Sequence, residues 1–303
     1  MTYLTAPVIA PKYAAEDLTF GVEIETMLPV NAPISVGSYY TGNRVPGTET
    51  SENSAWTAKF DGSIQPRRGF TGCEFVSPVL RGAAGLKNVK QTIKVARGLG
   101  AQVNASCGVH VHVGVPADLN CEDRARFIKA LTFLVGKVER GIYAATGTPR
   151  RERGRWCKGV KAIARAQGWN TSTIATGLIA RDRYHGLNIT NLTGHGHRHQ
   201  TIEFRYFSES LNSDKIVAWT ALCVALVQLA LTSPKLAKPD VNYAKARTLI
   251  GSGQGERELN RLFYTIGWTK GKCRYFGLGD FHGFKITKFK KTLREMARKY
   301  DTN

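Results

Sequence analysis

The chain has 303 residues, of which 42% are hydrophobic and 10% aromatic, and this composition argues against disorder and for a sizeable core. Its formal net charge of +20 favours polyanionic partners, although a solubilising basic surface is the alternative. Six cysteines without a Cys-x-x-Cys spacing argue against a zinc ribbon or a disulfide framework, and they predict reduced thiols in a cytoplasmic protein.

Neither a signal peptide nor a membrane span is predicted. The first residues lack a basic stretch followed by an apolar core. The most apolar run, residues 216–231, has 16 residues, whereas about 20 are needed to cross a bilayer. We interpret this run as a buried core helix.

The basic excess lies in two segments of the chain. Residues 149–183 hold nine Lys or Arg against two acids, and residues 235–303 hold sixteen against six. We therefore predict a core over residues 1–234, which contains the basic insertion 149–183. A basic helical extension over residues 235–303 would pack on that core.

Hydrophobic periodicity predicts the elements in chain order. Strands are predicted at residues 18–27, 58–64, 72–79, 103–115, 184–191 and 201–208, and helices at residues 85–99, 120–145, 213–231, 256–266 and 287–300. A long polar loop over residues 28–55 could serve as a lid. Because the helices do not alternate regularly with strands, the order favours an α+β fold with an antiparallel sheet over a doubly wound parallel one.

Three strand-like segments each carry functional groups two residues apart. The pairs are Glu23 with Glu25, His110 with His112, and Glu203 with Arg205. In a strand, residues i and i+2 point to the same face, while the apolar residues between them face a core. Carboxylates, imidazoles and a guanidinium on one sheet face suit divalent cations that hold a polyphosphate. The pattern therefore predicts an ATP-dependent enzyme.

Each pair also has a purely structural interpretation. The carboxylates could lie on a solvated strand face, the histidines could be satisfied structural residues, and Glu203 with Arg205 could form a cross-strand salt bridge. Asp61 precedes a glycine, and its role could be limited to shaping a turn. The role of Asn188 could likewise be limited to holding the backbone in place. Histidines also recur at alternate positions of the Gly-rich stretch 194–199, where an exposed hairpin turn is favoured over a metal tract.

The order of short motifs resembles a known family. The motifs are GVEIET at residues 21–26, FDGS at 60–63, CEFVSP at 73–78, CGVHVHVG at 107–114, YHGLNITN at 184–191 and TIEFRYF at 201–207. This succession resembles the amidoligase family, which belongs to the carboxylate–amine ligase superfamily with glutamine synthetase and glutamate–cysteine ligase. The resemblance covers about residues 18–212 and does not extend to the basic insertion or the tail.

The resemblance implies a glutamine-synthetase-like fold, in which a curved and mainly antiparallel sheet forms an active-site funnel with flanking helices. It implies ATP and Mg²⁺ as cofactors, with Mn²⁺ as an alternative metal because one ligand is a histidine. The implied metal ligands are Glu23, Glu25, Glu74, His110 and Glu203. His112 would lie near the ATP phosphates, where Glu25 also contributes.

The implied activity is ATP-dependent amide formation between a carboxylate and an amine through an acyl phosphate. Arg205 would meet the transferring γ-phosphate, and Glu203 and Asp61 complete the predicted catalytic residues. The superfamily also contains kinase-like members that make no amide. Because such amidoligases often occur in bacteriophage genomes, the polyanionic substrate could be modified DNA, and an acidic peptide is the other hypothesis.

Two other functions remain as alternatives. A metal-dependent hydrolase could use His110 and His112, as barrels of the amidohydrolase type do, but those barrels need strands alternating with helices. A non-catalytic nucleic-acid-binding protein would explain the net charge and the segment 150–169, with a steep salt dependence of binding. It would leave the converging carboxylates unexplained, because without metal they repel phosphates.

Overall fold

The computed structural model of the protein describes residues 13–160, 183–193, 200–232, 249–268 and 283–303. The expected histidine-containing turn at residues 194–199 lies outside this part of the chain. So do residues 161–182 of the basic insertion and two stretches of the basic tail, residues 235–248 and 269–282.

Eight strands and a set of helices succeed one another irregularly along the described residues. The strands are β1 (Thr19–Pro29), β2 (Asn43–Arg44), β3 (Thr57–Phe60), β4 (Phe70–Val76), β5 (Leu80–Arg81), β6 (Gly108–Gly114), β7 (Leu187–Asn188) and β8 (Thr201–Ser208). The helices are α1 (Gly82–Gly98), α2 (Cys121–Ala144), α3 (Arg150–Arg153), α4 (Thr190–Thr193), α5 (Ser213–Thr232), α6 (Gly255–Thr265) and α7 (Ile286–Thr302).

All the strands belong to one sheet, in the order β2-β3-β4-β1-β6-β8-β7, with β5 paired to β1. Every pairing between these strands is antiparallel. The predicted α+β architecture with an antiparallel sheet is therefore confirmed. The same topology is incompatible with an amidohydrolase barrel, whose strands alternate with helices and run parallel.

Helix α5 forms the centre of the core. It is long and apolar enough to cross a membrane, but 83% of its most apolar window is buried inside the protein, as the prediction of a core helix requires. Trp219 stacks on Phe207 of β8 with ring centroids 4.9 Å apart, and its indole N–H donates to the Ala145 carbonyl at 2.8 Å. The helix thereby supports the back of the strand that carries Glu203.

The two C-terminal helices pack on the core through amphipathic faces. Helix α6 lies against α2, where Glu258 is 3.6 Å from the Arg140 guanidinium, and helix α7 lies against α5 and α6. Lys288 of α7 reaches Asp214 at the start of α5 at 3.1 Å. The described part of the basic tail thus contacts the core, whereas the predicted division at residue 234 remains a prediction.

Several predicted boundaries differ from the structure. Strand β6 begins at Gly108 rather than at residue 103, because the Asn104 side chain accepts hydrogen bonds from the Ser106 backbone and hydroxyl, at 2.9 and 2.6 Å, and makes a turn. Strand β7 spans only two residues, and the chain turns into α4 directly after it.

Asparagine side chains cap the starts of two helices. At the start of α2, Asn120 accepts a hydrogen bond from the Asp123 backbone N–H at 2.8 Å. At the start of α5, the Asn212 side chain accepts from the Lys215 backbone N–H at 3.1 Å.

Candidate metal and nucleotide site

Four neighbouring strands, β4, β1, β6 and β8, bring the predicted site residues together at the centre of the sheet. The register pairs Glu25 with Glu74, Glu23 with His110, and His112 with Glu203. Alternation along each strand keeps these polar groups on one face, while Ile24, Val111 and Phe204 are buried on the other. The side chains from four strands therefore face one another without any long loop between them.

His110 is shared by two sets of possible metal ligands. One set is Glu23, His110 and Glu203, and the other is Glu25, Glu74 and His110; within each set the donor atoms lie within 4.8 Å of one another. The His110 Nδ1 is 3.3 Å from Glu23 Oε2 and 3.5 Å from Glu203 Oε1. On the other side of the ring, Nε2 is 3.6 Å from Glu25 Oε1.

The donor chemistry fits a hard divalent cation. Four carboxylates and one imidazole match Mg²⁺ or Mn²⁺ better than a soft metal that prefers thiolates. A neutral imidazole offers one lone pair, so His110 can ligate through Nδ1 or through Nε2 but not through both. A cation in one set would therefore have His110 as a ligand, and a cation in the other would be bound by carboxylates alone.

The surroundings of Glu74 and Glu23 shift the pKa values of the two carboxyl groups in opposite directions. Burial and the neighbouring charges of Glu23 and Glu25 hold the pKa of Glu74 well above its usual range. Burial also raises the pKa of Glu23, but the charges of His112 and His110 and their hydrogen bonds outweigh it and hold that pKa well below normal. A nearby cation would therefore offset the repulsion that Glu74 experiences from Glu23 and Glu25.

Glu203 is oriented from both sides. Arg205 donates to its Oε1, and the Asn188 side-chain amide donates to its Oε2 at 2.6 Å. Burial raises the pKa of Glu203, but the charges of His110, His112 and Arg205 lower it by more. The net shift of the pKa is therefore downward. Asn188, expected only to hold a backbone, therefore also contacts a proposed ligand.

A β-bulge positions Arg205. Val109 and Val111 of β6 pair with Phe207 and Phe204 of β8, so two residues of β8, Arg205 among them, lie opposite His110. The Arg205 Nε is buried and has no hydrogen-bond partner among the described residues. An unsatisfied buried donor of this kind is suited to an anionic ligand.

His112 adds a second positive group beside Glu23. Its Nε2 is 3.2 Å from Glu23 Oε2, and its Nδ1 is 3.5 Å from the Thr201 hydroxyl. Burial lowers the pKa of His112, but the charge of Glu23 and the contact with it outweigh burial, and the net shift is upward. The surroundings of His112 therefore favour its cationic form, and its predicted contact with ATP phosphates remains a prediction.

Asp61 lies at the edge of the cluster. Its Oδ1 accepts a hydrogen bond from the Ser63 backbone N–H at 2.7 Å, which is the turn-shaping role. Its charge also helps raise the pKa of Glu74. Asp61 belongs to neither set of possible metal ligands, and its predicted catalytic role remains a prediction.

Arg151 is a half-buried cation that the sequence patterns did not single out. Its Nη2 donates to the Cys107 carbonyl at 3.1 Å, and its charge interacts with Glu25. The guanidinium lies against Gly108, where an added Cβ would come within 2.1 Å of Nη2. The only sequence signal was the glycine two residues before His110, which permits this close approach.

Fold and site together define a protein with a candidate divalent-cation centre on an antiparallel sheet. The chain matches the family described as “Putative amidoligase enzyme” over residues 16–227, more than two thirds of its length. It belongs to that family, which confirms the resemblance. No curated protein matches the chain.

Solved structures that are similar to the chain include the following two. One is titled “Crystal structure of the complex between Prokaryotic Ubiquitin-like Protein Pup and its Ligase PafA”, with a TM-score of 0.41 and 9% identity, and the match covers 95% of this chain. The chain spans 64% of that PafA chain. The other is titled “Apo GmaS without ligand”, with a TM-score of 0.44, 13% identity and coverage of 94% of this chain and 70% of that one.

Proposed function

We propose that the protein is an ATP- and divalent-metal-dependent carboxylate–amine ligase that acts through an acyl phosphate. The observation that carries this proposal is the shared position of His110 between two sets of carboxylates, with Arg205 beside one of them. Family membership supports the class of reaction. The site residues supply the chemical argument for ATP and metal.

Glu23, Glu25, Glu74, His110 and Glu203 would hold Mg²⁺ or Mn²⁺. When bound there, the metal would supply positive charge that offsets the charge of the phosphates during phosphoryl transfer. Without them, the four carboxylates repel a nucleotide polyphosphate, so we expect ATP binding to require metal. Asn188 would act as a positioning residue by fixing the Glu203 carboxylate.

Arg205 and His112 would contact the phosphates. In the first half-reaction, an oxygen of the acceptor carboxylate attacks the γ-phosphorus, and the bond from phosphorus to the ADP oxygen breaks. Charge spreads over the equatorial oxygens, where the guanidinium of Arg205 would stabilise it. Cationic His112, next to Glu23, would hold the leaving polyphosphate.

The second half-reaction makes the amide. The amine nitrogen attacks the acyl carbon, inorganic phosphate leaves, and the nitrogen loses a proton. The loop over residues 28–55 is proposed as a lid, because water would hydrolyse the acyl phosphate. Asp61 is retained as a candidate catalytic residue at the rim. We place the reaction in the cytoplasm, in line with the predicted reduced thiols.

A hydroxylamine trap tests the proposal. Protein, ATP and Mg²⁺ or Mn²⁺ are incubated with panels of carboxylates, and hydroxamate and ADP are measured. Hydroxamate formation with a carboxylate establishes activated acyl transfer, and ADP release that rises with added amine distinguishes a ligase from a kinase-like member. Arg205→Ala should lower the rate by about a hundredfold or more.

The matched control is Glu295→Gln, which changes an exposed carboxylate of α7 outside the ligand cluster and the proposed lid. It should retain the wild-type rate, whereas Glu25→Gln should lose it. A Zn²⁺-dependent hydrolysis without ATP would instead support the hydrolase alternative based on His110 and His112. Retention on DNA with a steep salt dependence and no turnover would support the nucleic-acid-binding alternative.

A further inference from the structure

A cavity of about 440 Å³ lies beside the candidate site. It is bounded by helix α3, the end of β8, the start of α5 and the last turns of α7. Its volume is within the range of about 300–1,000 Å³ that is usual for small-ligand sites. Helix α7 therefore forms one wall of the cavity. Without this helix, the segments that carry the family's motifs would leave the cavity open on that side.

Cations dominate the lining of this cavity. Arg150, Arg153, Lys215 and Lys299 line it together with a single acid, Glu209. Arg150 forms an ion pair with Glu209, whereas the other three cations form no ion pair with the described residues. Burial, followed by repulsion from Lys299, lowers the pKa of Lys215. With four cations and one acid, the lining side chains carry a net excess of three positive charges.

One strand pairing joins the cavity lining to the strand that carries His110. Ser208, which lines the cavity, pairs with Gly108 of β6, and His110 follows two residues later, about 7 Å along the strand. The Arg151 guanidinium lies over Gly108 and adds a further positive charge at this pairing. The cavity and the ligand cluster are therefore close enough for one extended ligand to reach both.

From this geometry we infer that the cavity binds acidic side chains of a peptide acceptor whose reacting carboxylate lies at the metal ligands. The inference rests on the proposed ligase function, because it assigns the cavity to the acceptor of that reaction. A second anionic group of the acceptor, about 10–17 Å along β8 from Glu203, would contact Lys215, Lys299 and Arg153.

The lining favours an acidic peptide over a nucleic acid. Proteins that bind single strands combine a basic groove with aromatic side chains on which bases stack. No aromatic side chain is among the described residues that line this cavity. The Thr148 hydroxyl lines it and accepts from the Arg150 backbone N–H at 3.3 Å, so its own proton can be donated to a carboxylate.

Binding of a labelled, acetylated tetra-glutamate peptide tests the inference. Fluorescence anisotropy is measured without ATP and with a chelator, so that the result does not depend on the metal site. In Lys215→Gln/Lys299→Gln the dissociation constant should rise by about tenfold. The control Lys94→Gln/Lys291→Gln removes the same charge at exposed positions outside the cavity and should stay within about twofold of wild type.

The outcomes separate this inference from the proposed function. Equal weakening in both double variants, or no binding to wild type, would overturn it. It would also fail if an oligothymidylate of equal charge bound more tightly and lost affinity only in the cavity variant. Arg153→Gln supplies a second test if the double variant does not fold. If peptide binding depends on the cavity but no hydroxamate forms, the inference of a peptide-binding cavity stands and the proposed ligase function is rejected.

Discussion

Glu25 and Glu74 lie directly opposite each other on β1 and β4, with carboxylate oxygens within 4.8 Å. Like charges in directly opposed positions destabilise a sheet, and here burial adds to the cost. Lys59 on β3, opposite Glu74, compensates only in part, because the pKa of Glu74 remains well above normal. The metal-free sheet therefore carries a repulsion that a cation would relieve.

Glu74→Gln should stabilise the metal-free protein and remove its stabilisation by Mg²⁺ or Mn²⁺. The amide keeps the shape of the side chain but has no charge to repel Glu25. Thermal melting with a chelator should show a higher midpoint for Glu74→Gln than for wild type, while Glu295→Gln stays unchanged. A lower midpoint for Glu74→Gln would contradict the account of repulsion.

The stability of the metal-free protein should also depend on pH through Glu74. A pKa raised by folding means that the folded state binds the proton more tightly than the unfolded state. The free energy of unfolding therefore falls as the pH rises above the ordinary glutamate pKa and through the raised one. Urea unfolding from pH 4.5 upward should show this slope in wild type and a shallower one in Glu74→Gln.

Asn188→Ala should impair catalysis without removing a proposed ligand. The amide donates to Glu203 Oε2 at 2.6 Å, and losing such a partner lowers metal affinity or activity by about 10–100-fold. Metal titration followed by ATP turnover at saturating metal measures both effects. Asn191→Ala is the control, since Asn191 bonds to Thr201 instead of Glu203. Equal effects of the two substitutions would reject the orienting role.

Gly108→Ala should destabilise the protein by about 1–3 kcal/mol, because the new Cβ would overlap the Arg151 guanidinium. Adding Arg151→Ala should recover most of that loss, and urea unfolding of the double-mutant cycle measures it. Gly98→Ala is the control, because no atom lies within 4 Å of its Cβ position at the end of α1. Additive losses at Gly108 and Arg151 would contradict the packing.

Cysteine reactivity checks the expectation of buried, reduced thiols. Burial raises the pKa of Cys73 to about 12 and that of Cys157 to about 12, whereas Cys121 is exposed at the start of α2. Among the described cysteines, Cys121 should react first with iodoacetamide at pH 8, as peptide mass spectrometry would show. Modification of Cys73 at a comparable rate in the native protein would show that this strand opens.

Local patterns were sufficient to predict which groups share a face. The side-chain period of a strand is two, so Glu23 with Glu25, and His110 with His112, could be placed without knowledge of the fold. The opposition of Glu25 and Glu74 could not be predicted in this way, because it depends on the register between β1 and β4.

Non-local contacts explain what the sequence did not predict. Arg151 lies in a basic segment with no periodic signal, and only the folded chain brings its guanidinium over Gly108. The basic cavity likewise needs residues from α3, β8, α5 and α7, whose approach no local pattern encodes. The late start of β6 follows from side-chain bonds of Asn104, which compete with the strand.

Metal-dependent nucleotide binding tests the central claim most directly. Thermal melting is measured with ATP alone, with Mg²⁺ or Mn²⁺ alone, and with both, for wild type, Glu25→Gln, Arg205→Ala and the control Glu295→Gln. At ATP concentrations about 100 times the dissociation constant, wild type with metal should gain roughly 4 °C, and Glu295→Gln should match it. Glu25→Gln should lose the gain and Arg205→Ala should reduce it. A folded wild-type protein that shows no response to ATP with either metal would contradict the account.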